Sequence, residues 1–291
     1  MINGILNIYK EPGMTSFQVV SRVRRIVGEK KCGHTGTLDP DAEGVLPICL
    51  GRATKIVEYL TDRKKTYRAE LKLGITTDTQ DASGQVLETK DPSYVTEEAF
   101  RLALSGFEGD QLQIPPMVSA LKVDGRRLYE LARQGVTVER KARPVTFYSI
   151  QIVNLDLPRA EIEVTCSKGT YIRTLIHDLG QKLGCGACMT HLVRTAVGDY
   201  KKDQALRLSE LEKVVEEGRL EQFLEGVDHF FKDLTEYHCR QEEDKIVHNG
   251  SFLQLKESAE RLRVYDSRGK FIGIYKKTES VYKPEKMFYA P

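Results

Sequence analysis

The sequence predicts an α+β protein with a small, β-rich module at its C-terminal end. Strand-like alternation and helix-like periodicity are interspersed along the 291 residues without the βαβ regularity of a parallel sheet. A composition of 40% hydrophobic and 30% charged residues is typical of a globular chain with a sizeable core. The character of the sequence changes near residue 237, so we expect domains at 1–236 and 237–291.

The N-terminal segment predicts a strand followed by a helix. Residues 3–9 are apolar and lack the basic leader and cleavage site of a signal peptide, so we expect a buried strand. Thr15 or Ser16 can cap the helix, and Gly28 is placed to end it. The apolar face predicted for this helix comprises Phe17, Val20, Val23 and Val27.

The next elements follow from composition and alternation. Residues 32–44 are rich in Gly, Thr, Asp and Pro and predict an ordered loop. A buried strand and a helix are expected at 45–60. The alternation over 67–73 predicts a strand with one apolar face, and the turn-rich stretch TTDTQDASG follows it.

The remaining elements alternate in type. Helices are predicted at 96–107, 126–134 and 170–183, and a strand pair at 145–154 and 160–167. Ser209 and Glu212 predict a capping box that opens an acidic amphipathic helix. A hairpin around Asp-Ser-Arg-Gly is expected at 261–276.

Positive charge is segregated along the chain. Residues 1–66, 119–145 and 168–202 each carry a net charge of +4, whereas residues 203–261 carry −7. Such segregation is typical of a protein that binds a polyanion, although the charges can instead lie scattered on separate solvated faces. No run of about 18 apolar residues exists, so we expect no membrane contact and a cytoplasmic location.

The six cysteines give a weak metal signal. Cys185 and Cys188 form a single Cys-x-x-Cys without a second ligand pair, so reduced cytosolic thiols are expected and no metal site is predicted. Phosphate-loop and dinucleotide-binding motifs are not found, and no cofactor is expected.

The loop GHTGTLDPDAEG, at 33–44, is the segment best suited to chemistry. Its glycines and proline permit tight turns that hold a carboxylate rigidly at the mouth of a cleft. Asp39, Asp41 and Glu43 lie within five residues, and the pattern alone does not choose among them. An ordinary Asp-rich turn is the alternative, while the spacing of a calcium loop is missing.

Four blocks in this order carry a resemblance to a known family. They are GHTGTLDPDAEGVLPICLGRATK, KTYRAELKLGITTDTQDASG, QIPPMVSALKVDGRRLYELARQG and CSKGTYIRTLIHDLGQKLGCGA. Over about residues 3–200 the chain resembles the TruB family of bacterial tRNA pseudouridine-55 synthases. The resemblance implies the pseudouridine synthase fold, with a mixed or antiparallel central sheet flanked by helices. It also implies a PUA-like RNA-binding domain at 237–291.

The resemblance assigns the catalytic pair and the base pocket. Asp39 matches the family's catalytic aspartate, and Arg173 matches the arginine that pairs with it and keeps it ionised. Residues implied to bind the substrate are Tyr67, which stacks on the target base, Tyr171 and Leu192, which line the uracil pocket, and His34, which packs into the opened T loop. Without the resemblance, Tyr67 is a strand aromatic facing the core, and His34 is a loop histidine bonded to backbone.

Several positions depart from the family pattern. Glu43 stands where Thr or Ser is usual, and an acid so close to Asp39 is expected to raise its pKa. The other departures are Val118, Val193, Cys188 and the placement of proline in Lys10-Glu11-Pro12-Gly13. They leave the details of RNA contact open.

The implied substrate is the T-arm of tRNA, with no obligate protein partner and a monomeric enzyme. Basic residues that are candidates for phosphate contacts are Lys10, Arg22, Arg24, Arg25, Lys30, Lys31, Lys64, Lys65 and Arg194. For any one of them, a solvated surface charge is the alternative. Two other functions remain open: an RNA-binding folding factor that opens the tRNA elbow, and the catalytic subunit of a guide-RNA particle.

Overall fold

Two sheets organise the protein. The computed structural model describes residues 2–123 and 125–289. The strands, in chain order, are β1 (Gly4–Lys10), β2 (Cys32–His34), β3 (Glu43–Leu50), β4 (Lys65–Leu73), β5 (Ile75–Thr77), β6 (Val86–Thr89), β7 (Gly109–Gln113), β8 (Lys122–Val123), β9 (Arg126–Arg127), β10 (Arg143–Asp156), β11 (Arg159–Cys166), β12 (Ala187–Val197), β13 (Tyr200–Lys201), β14 (Thr235–His238), β15 (Arg261–Tyr265), β16 (Phe271–Thr278) and β17 (Val281–Met287). The α-helices are α1 (Ser16–Val27), α2 (Val57–Thr61), α3 (Glu97–Ser105), α4 (Leu128–Arg133), α5 (Ile172–Lys182), α6 (Leu208–Glu216) and α7 (Asp244–His248).

The central sheet is mixed, as the resemblance implied. Its main path runs β1-β3-β12-β4-β11-β10-β7, with β2 beside β3 and β13 beside β12. The pairings are antiparallel except between β3 and β12, where Gly44 lies opposite Arg194 in parallel register. Gly44 has φ +112°, and a Cβ there would lie 2.2 Å from the Arg194 carbonyl oxygen. A glycine at this position therefore lets the two strands come together at the end of the predicted loop.

The middle of the sheet is built as the alternation predicts. Along β4 the side chains of Tyr67, Ala69, Leu71 and Leu73 are buried, and the residues between them are more exposed. They share a hydrophobic core with Leu175 and other apolar residues of α5. Fully burying one such leucine contributes about 1.5–3 kcal/mol to the free energy of unfolding. This packing fixes α5 against the sheet and so fixes the position of Arg173.

Helix α1 begins and ends where the sequence predicts. The Thr15 hydroxyl accepts the Gln18 amide at 3.2 Å, and Gly28 adopts the left-handed conformation at φ 70°. The predicted apolar face was wrong at one position, because Phe17 is 74% exposed and Val19 is buried in its place. Helical spacing identifies a face only to within about one position.

Other predicted boundaries need correction. Helix α6 begins earlier than predicted, at Leu208, and the Arg207 amide before it donates to the Glu210 carboxylate at 2.7 Å, so Ser209 and Glu212 do not form the predicted capping box. Arg126 belongs to β9, so α4 is shorter than predicted. The predicted loop at 32–44 contributes its first three residues to β2 and its last two to β3, and residues 35–42 are irregular.

The C-terminal sheet follows the order β14-β15-β16-β17 and contains the predicted hairpin. Its own core includes Leu262, Val264 and Tyr275. Aromatic packing joins it to the rest of the chain, with the Phe231 ring 6.0 Å from that of Phe288. The predicted boundary between two domains, near residue 237, falls inside β14. No helix in the described part of the chain is long and apolar enough to cross a membrane.

Candidate active site

The irregular segment 35–42 is fastened to the start of α1. The Leu38 amide donates to the Ser16 hydroxyl at 2.9 Å, and the Gly13 amide donates to the Pro40 carbonyl at 3.0 Å. Both bonds span more than 20 residues of sequence, so they hold the segment from outside itself. Asp39 is therefore presented on a loop whose backbone is fixed on both sides of it.

Two buried cations donate hydrogen bonds to backbone carbonyls in and beside the same loop. Lys10 is fully buried, and its ammonium group donates to the Pro40 carbonyl at 2.8 Å and the Ala42 carbonyl at 2.5 Å. Arg194 is 1% exposed and donates to the Val45 carbonyl at 2.7 Å and the Gly36 carbonyl at 3.1 Å. The prediction that these two residues contact RNA phosphates was therefore wrong, because both side chains are buried and occupied by backbone oxygens.

Lys65 is a third buried cation. Its ammonium group donates to the Thr61 carbonyl at 2.6 Å and to the Arg63 carbonyl at 2.8 Å, and the residue is 5% exposed. Its prediction as a surface phosphate contact was wrong as well. Burial lowers the pKa of Lys65 to about 8, and burial likewise lowers the pKa of Lys10 to about 8.

Asp39 and Arg173 lie together, as the resemblance implied. Arg173 Nη2 is 3.0 Å from Asp39 Oδ2, and Arg173 Nη1 is 3.4 Å from Asp81 Oδ2. The guanidinium also donates to the Thr79 and Val118 carbonyls, at 3.0 Å each. With four partners and 3% exposure, the guanidinium is fixed in position.

The charge state of Asp39 is set by opposing influences. The strongest influence on Asp39 is its removal from water by the surrounding protein, which raises the pKa of the carboxyl group. The side chain is nevertheless 44% exposed, on the side that faces the open cleft. Arg173 and Lys10 lower that pKa, while Asp81 and Asp41 raise it. Arg173 therefore acts against a tendency toward the neutral acid that burial creates, as the sequence argument expected.

Asp81 is the principal residue that the sequence argument missed. One of its carboxylate oxygens accepts the Thr79 hydroxyl at 2.8 Å and the Ser83 amide at 3.0 Å, and the other faces Arg173. Its only signal was its place in the turn-rich stretch after β4. The Asp39–Arg173–Asp81 arrangement depends on three segments far apart in sequence, so no local pattern marks it.

Glu43 is occupied elsewhere. The Tyr9 hydroxyl donates to Glu43 Oε2 at 2.7 Å, and His191 Nε2 is 3.0 Å from Glu43 Oε1. The acids that most raise the pKa of Asp39 are Asp81 and Asp41. Glu43 is therefore not among the strongest influences on the pKa of Asp39, and the expectation that it raises that pKa stays a prediction.

A cavity of about 290 Å³ opens beside the Asp39–Arg173 pair. Tyr67, Tyr171 and Leu192 line it, together with both members of the pair. β4 and β12 bring Tyr67 and Leu192 to one wall, and Tyr171 lies just before α5, where its amide donates to Gln113 Oε1 at 2.8 Å. A second cavity of about 410 Å³ shares Asp39, Arg173 and Leu192 with the first. The structure thus brings five of the six predicted catalytic and base-binding residues around one hollow.

His34 is the sixth and does not line this hollow. Its Nδ1 accepts the Gly36 amide at 3.2 Å, and burial lowers its pKa. This contact matches the alternative of a loop histidine bonded to backbone. His34 nevertheless lies next to the loop that carries Asp39, so a contact with RNA at the rim stays a prediction.

The remaining basic candidates are exposed. Arg24 and Arg25 extend from the outer face of α1, which contains no acidic residue. Arg22 is 3.8 Å from Glu212, and the Lys64 ammonium lies 3.8 Å from the ring centre of Tyr148. Lys30 and Lys31 are also exposed. Phosphate contacts by these residues stay predictions.

The cysteine pair has no ligand-like arrangement. Cys185 and Cys188 are buried free thiols, and burial raises the pKa of each. Within residues 2–123 and 125–289, no group of three or more His, Cys, Asp or Glu side chains is placed to hold a metal ion. Of the other departures, Val118 contributes its backbone carbonyl to Arg173, and Val193 is buried in β12.

Known proteins resemble this chain over nearly its whole length. Residues 24–172 match the family described as TruB family pseudouridylate synthase (N terminal domain), and residues 173–232 match tRNA pseudouridylate synthase B C-terminal domain. The tRNA pseudouridine synthase B of Clostridium kluyveri is 45% identical over 293 residues, covering 99% of this chain and 100% of its own. The protein of that name from Clostridium perfringens strain 13 is 44% identical over 294 residues, covering 98% and 99%.

Solved structures show the same fold. A chain in the crystal structure of a Cbf5-Nop10-Gar1 complex has a TM-score of 0.72 and 26% identity, covering 98% of this chain and 85% of that one. A chain in an H/ACA RNP bound to a substrate RNA containing 2'-deoxyuridine has a TM-score of 0.71 and covers 99% and 85%. Its identity is 24%, so this second likeness concerns the fold alone.

Proposed function

The chain belongs to the TruB family of pseudouridylate synthases, and from that premise we propose that it converts the uridine at tRNA position 55, in the T loop, to pseudouridine. The observation that carries the proposal is the ion pair between Asp39 and Arg173 on the wall of a base-sized cavity. In the reaction uracil leaves the ribose through N1, turns while bound, and rejoins through C5. Nothing is oxidised or consumed, so the residues of the cavity suffice for the chemistry.

Asp39 is the nucleophile in this proposal. An ionised carboxylate can take part in forming a covalent intermediate, and its position at the cleft gives it access to the substrate. Arg173 keeps the carboxylate charged and oriented, because its guanidinium has too many fixed partners to move away. Arg173 can keep the carboxylate charged and oriented only through the 3.0 Å contact that the two side chains make.

Tyr67, Tyr171 and Leu192 hold the base in this proposal. The target uridine must leave a folded loop, which costs a few kcal/mol. Stacking on an aromatic ring returns about 1–3 kcal/mol per base. Tyr67 supplies that ring, and Leu192 and Tyr171 close the cavity around the uracil. His34 contacts the opened loop of the RNA outside the cavity.

The partner is the T-arm of tRNA, and the enzyme acts as a monomer in the cytoplasm, where tRNA is modified. Arg24 and Arg25 on α1 contact the phosphates. The C-terminal sheet, which begins with β14 at Thr235, forms a PUA-like domain that extends the RNA-binding surface, while the chain before it forms the catalytic domain. No second protein is needed in this proposal, because Asp39, Arg173 and the cavity belong to one chain.

The test is to map pseudouridine in an unmodified T-arm transcript incubated with purified protein. We expect wild-type protein alone to modify position 55. Asp39→Asn should lose on the order of 10³-fold or more in rate, because its amide cannot act as the nucleophile. Arg173→Met should lose about 10²- to 10³-fold, because it removes a charge that acts at the reacting group.

Matched controls separate this proposal from the alternatives. Arg219→Met removes an exposed arginine in the acidic segment, and its rate should equal that of the wild type. If the protein were only a folding factor, the wild type and Asp39→Asn would improve tRNA folding equally well, and neither would form pseudouridine. A guide-RNA subunit would modify nothing until a guide RNA was added. Near-normal turnover by Arg173→Met would contradict the proposed pairing.

A further inference from the structure

One buried hydroxyl beside the cavity meets the geometry of no hydrogen bond within the described residues. Ser119 is 6% exposed, and its Oγ atom makes no hydrogen bond to any residue that the structure describes. Its backbone is fixed on both sides, since the Ser119 amide donates to the Met117 carbonyl and its carbonyl accepts the Tyr129 amide, at 3.0 Å each. Leaving a buried hydroxyl unpaired is unfavourable, so such a group usually meets a ligand or a water molecule.

The place of this hydroxyl is informative. Ser119 lines the same cavity as Asp39 and Tyr171 and follows Val118, whose carbonyl accepts the Arg173 guanidinium. The Tyr171 phenol is close enough for the Ser119 hydroxyl to lower its pKa, against a larger rise caused by burial. The two hydroxyls are therefore neighbours at the limit of a hydrogen bond, and the Ser119 hydroxyl can exchange this weak contact for one with a ligand.

Two other hydroxyls of the same wall are already engaged. Thr170 Oγ1 donates to the Ser167 carbonyl at 2.9 Å, and Thr61 Oγ1 donates to the Val57 carbonyl at 2.7 Å. Both residues line the cavity, but their protons are directed into the protein. The Ser119 hydroxyl differs from them because it can still both donate and accept.

We propose that Ser119 Oγ binds a polar edge of the uracil and retains the base while it is detached from the ribose. This inference rests on the proposed function. Uracil presents two carbonyl acceptors and one N–H donor, and a hydroxyl is complementary to either kind. Before the N1–C1′ bond breaks, the RNA chain tethers the base, and afterwards only such contacts hold it.

The consequence is a competition that can be measured. In the productive path the N1–C1′ bond breaks, the C5–C1′ bond forms, N1 gains a proton and C5 loses one. If the base escapes, water supplies hydroxide to C1′ and a proton to the base, which leaves an abasic ribose and free uracil. The ratio of released uracil to pseudouridine therefore reports how well the cavity holds the detached base.

The experiment uses a T-arm transcript labelled in the uracil ring, in a single turnover with the full-length enzyme. In Ser119→Ala the ratio of released uracil to pseudouridine should rise about five- to tenfold, the effect of one lost hydrogen bond. Ser119→Thr keeps a hydroxyl and should stay near the wild-type ratio. Thr170→Val removes a hydroxyl that is already engaged, and it should leave the ratio unchanged even if turnover slows.

The outcomes distinguish this inference from the proposed function. A Ser119→Ala ratio equal to the wild-type ratio, or released uracil undetectable in both proteins, overturns the inference and leaves the proposed function standing. A general loss of structure lowers both products together and does not raise the ratio. Wild-type protein that forms no pseudouridine contradicts the proposed function and the inference with it.

Discussion

The buried basic residues of this protein make different contacts from the exposed ones. Lys10, Arg173 and Arg194 are almost wholly buried, and each donates to at least two backbone carbonyls near the Asp39 loop. Arg24 and Arg25, in the same basic part of the sequence, are exposed on α1. The buried cations hold the loop that carries Asp39, and the exposed ones are free to meet a polyanion.

Linear clusters of basic residues in this sequence therefore contain two populations, one buried and one exposed. The segment 1–66 has a net charge of +4, yet it includes Lys10 and Lys65, which are buried. Long aliphatic stems let such side chains cross the core while carbonyl oxygens receive their charged ends. The charge available to RNA is therefore smaller than the sequence suggests, and the charge that acts on Asp39 is larger.

Among the variants that test this difference between buried and exposed cations, Arg194→Met should have the largest effect. It leaves the Gly36 and Val45 carbonyls without their donor beneath the Asp39 loop. We expect the free energy of unfolding to fall by about 2–4 kcal/mol, measured by urea denaturation. The rate of pseudouridine formation should fall by more than about 10²-fold, because the loop no longer holds its position.

Arg24→Met is the matched control on the surface. Its free energy of unfolding should stay within about 0.5 kcal/mol of the wild type. Burying a charge is itself costly, and methionine fills a similar volume without that cost. An Arg194→Met protein more stable than the wild type would therefore show that the bonds to the two carbonyls do not outweigh the burial of the guanidinium.

Asp81→Asn should have an intermediate effect, visible in the pH dependence. Asp39 acts when ionised, so the rate falls as pH decreases through its pKa, which burial has raised. Removing the negative charge of Asp81 lowers that pKa, so the acid limb of the single-turnover rate should move to lower pH. The rate on the plateau should fall by about tenfold, because Arg173 loses one of its two carboxylate partners.

Asp110→Asn is a suitable control for this shift, because Asp110 is an exposed acid whose carboxylate accepts the Thr146 hydroxyl at the outer edge of the sheet. Its acid limb should coincide with that of the wild type. An acid limb that stays in place, or moves to higher pH, in Asp81→Asn would show that Asp81 does not act on the charge state of Asp39.

Much of the fold could be predicted because its signals are local. The cap at Thr15, the end at Gly28 and the alternation along β4 involve residues within a few positions of one another. Phe17 was assigned to the wrong face because helical spacing does not fix the phase of a helix on its partner. The start of α6 was misplaced because Glu210 and Glu212 offer two capping registers, and packing chooses between them.

The candidate site was predictable only where a motif marks it. Asp39, Arg173, Tyr67, Tyr171 and Leu192 were named from the resemblance, and the structure gathers them around one cavity. Asp81 and Ser119 were missed, and the burial of Lys10, Lys65 and Arg194 was not foreseen. Those features arise from contacts between distant segments, and lysine and arginine are seldom buried, so neither spacing nor composition signals them.

The smallest effect is expected at the surface, where Arg24→Ala and Arg25→Ala should weaken tRNA binding without changing the cleft. Each phosphate contact that is lost should reduce the slope of log affinity against log salt concentration by about one unit. Affinity at low salt should fall severalfold while the rate at saturating tRNA is unchanged, measured by filter binding and single-turnover assays.

Arg22→Ala is the control, because Arg22 lies 3.8 Å from Glu212 and its charge is partly balanced within the protein. If the Arg24 and Arg25 variants keep the wild-type salt slope, the outer face of α1 does not contact RNA. The cations that bind the substrate would then have to lie on another exposed surface, while the buried cations still hold the loop.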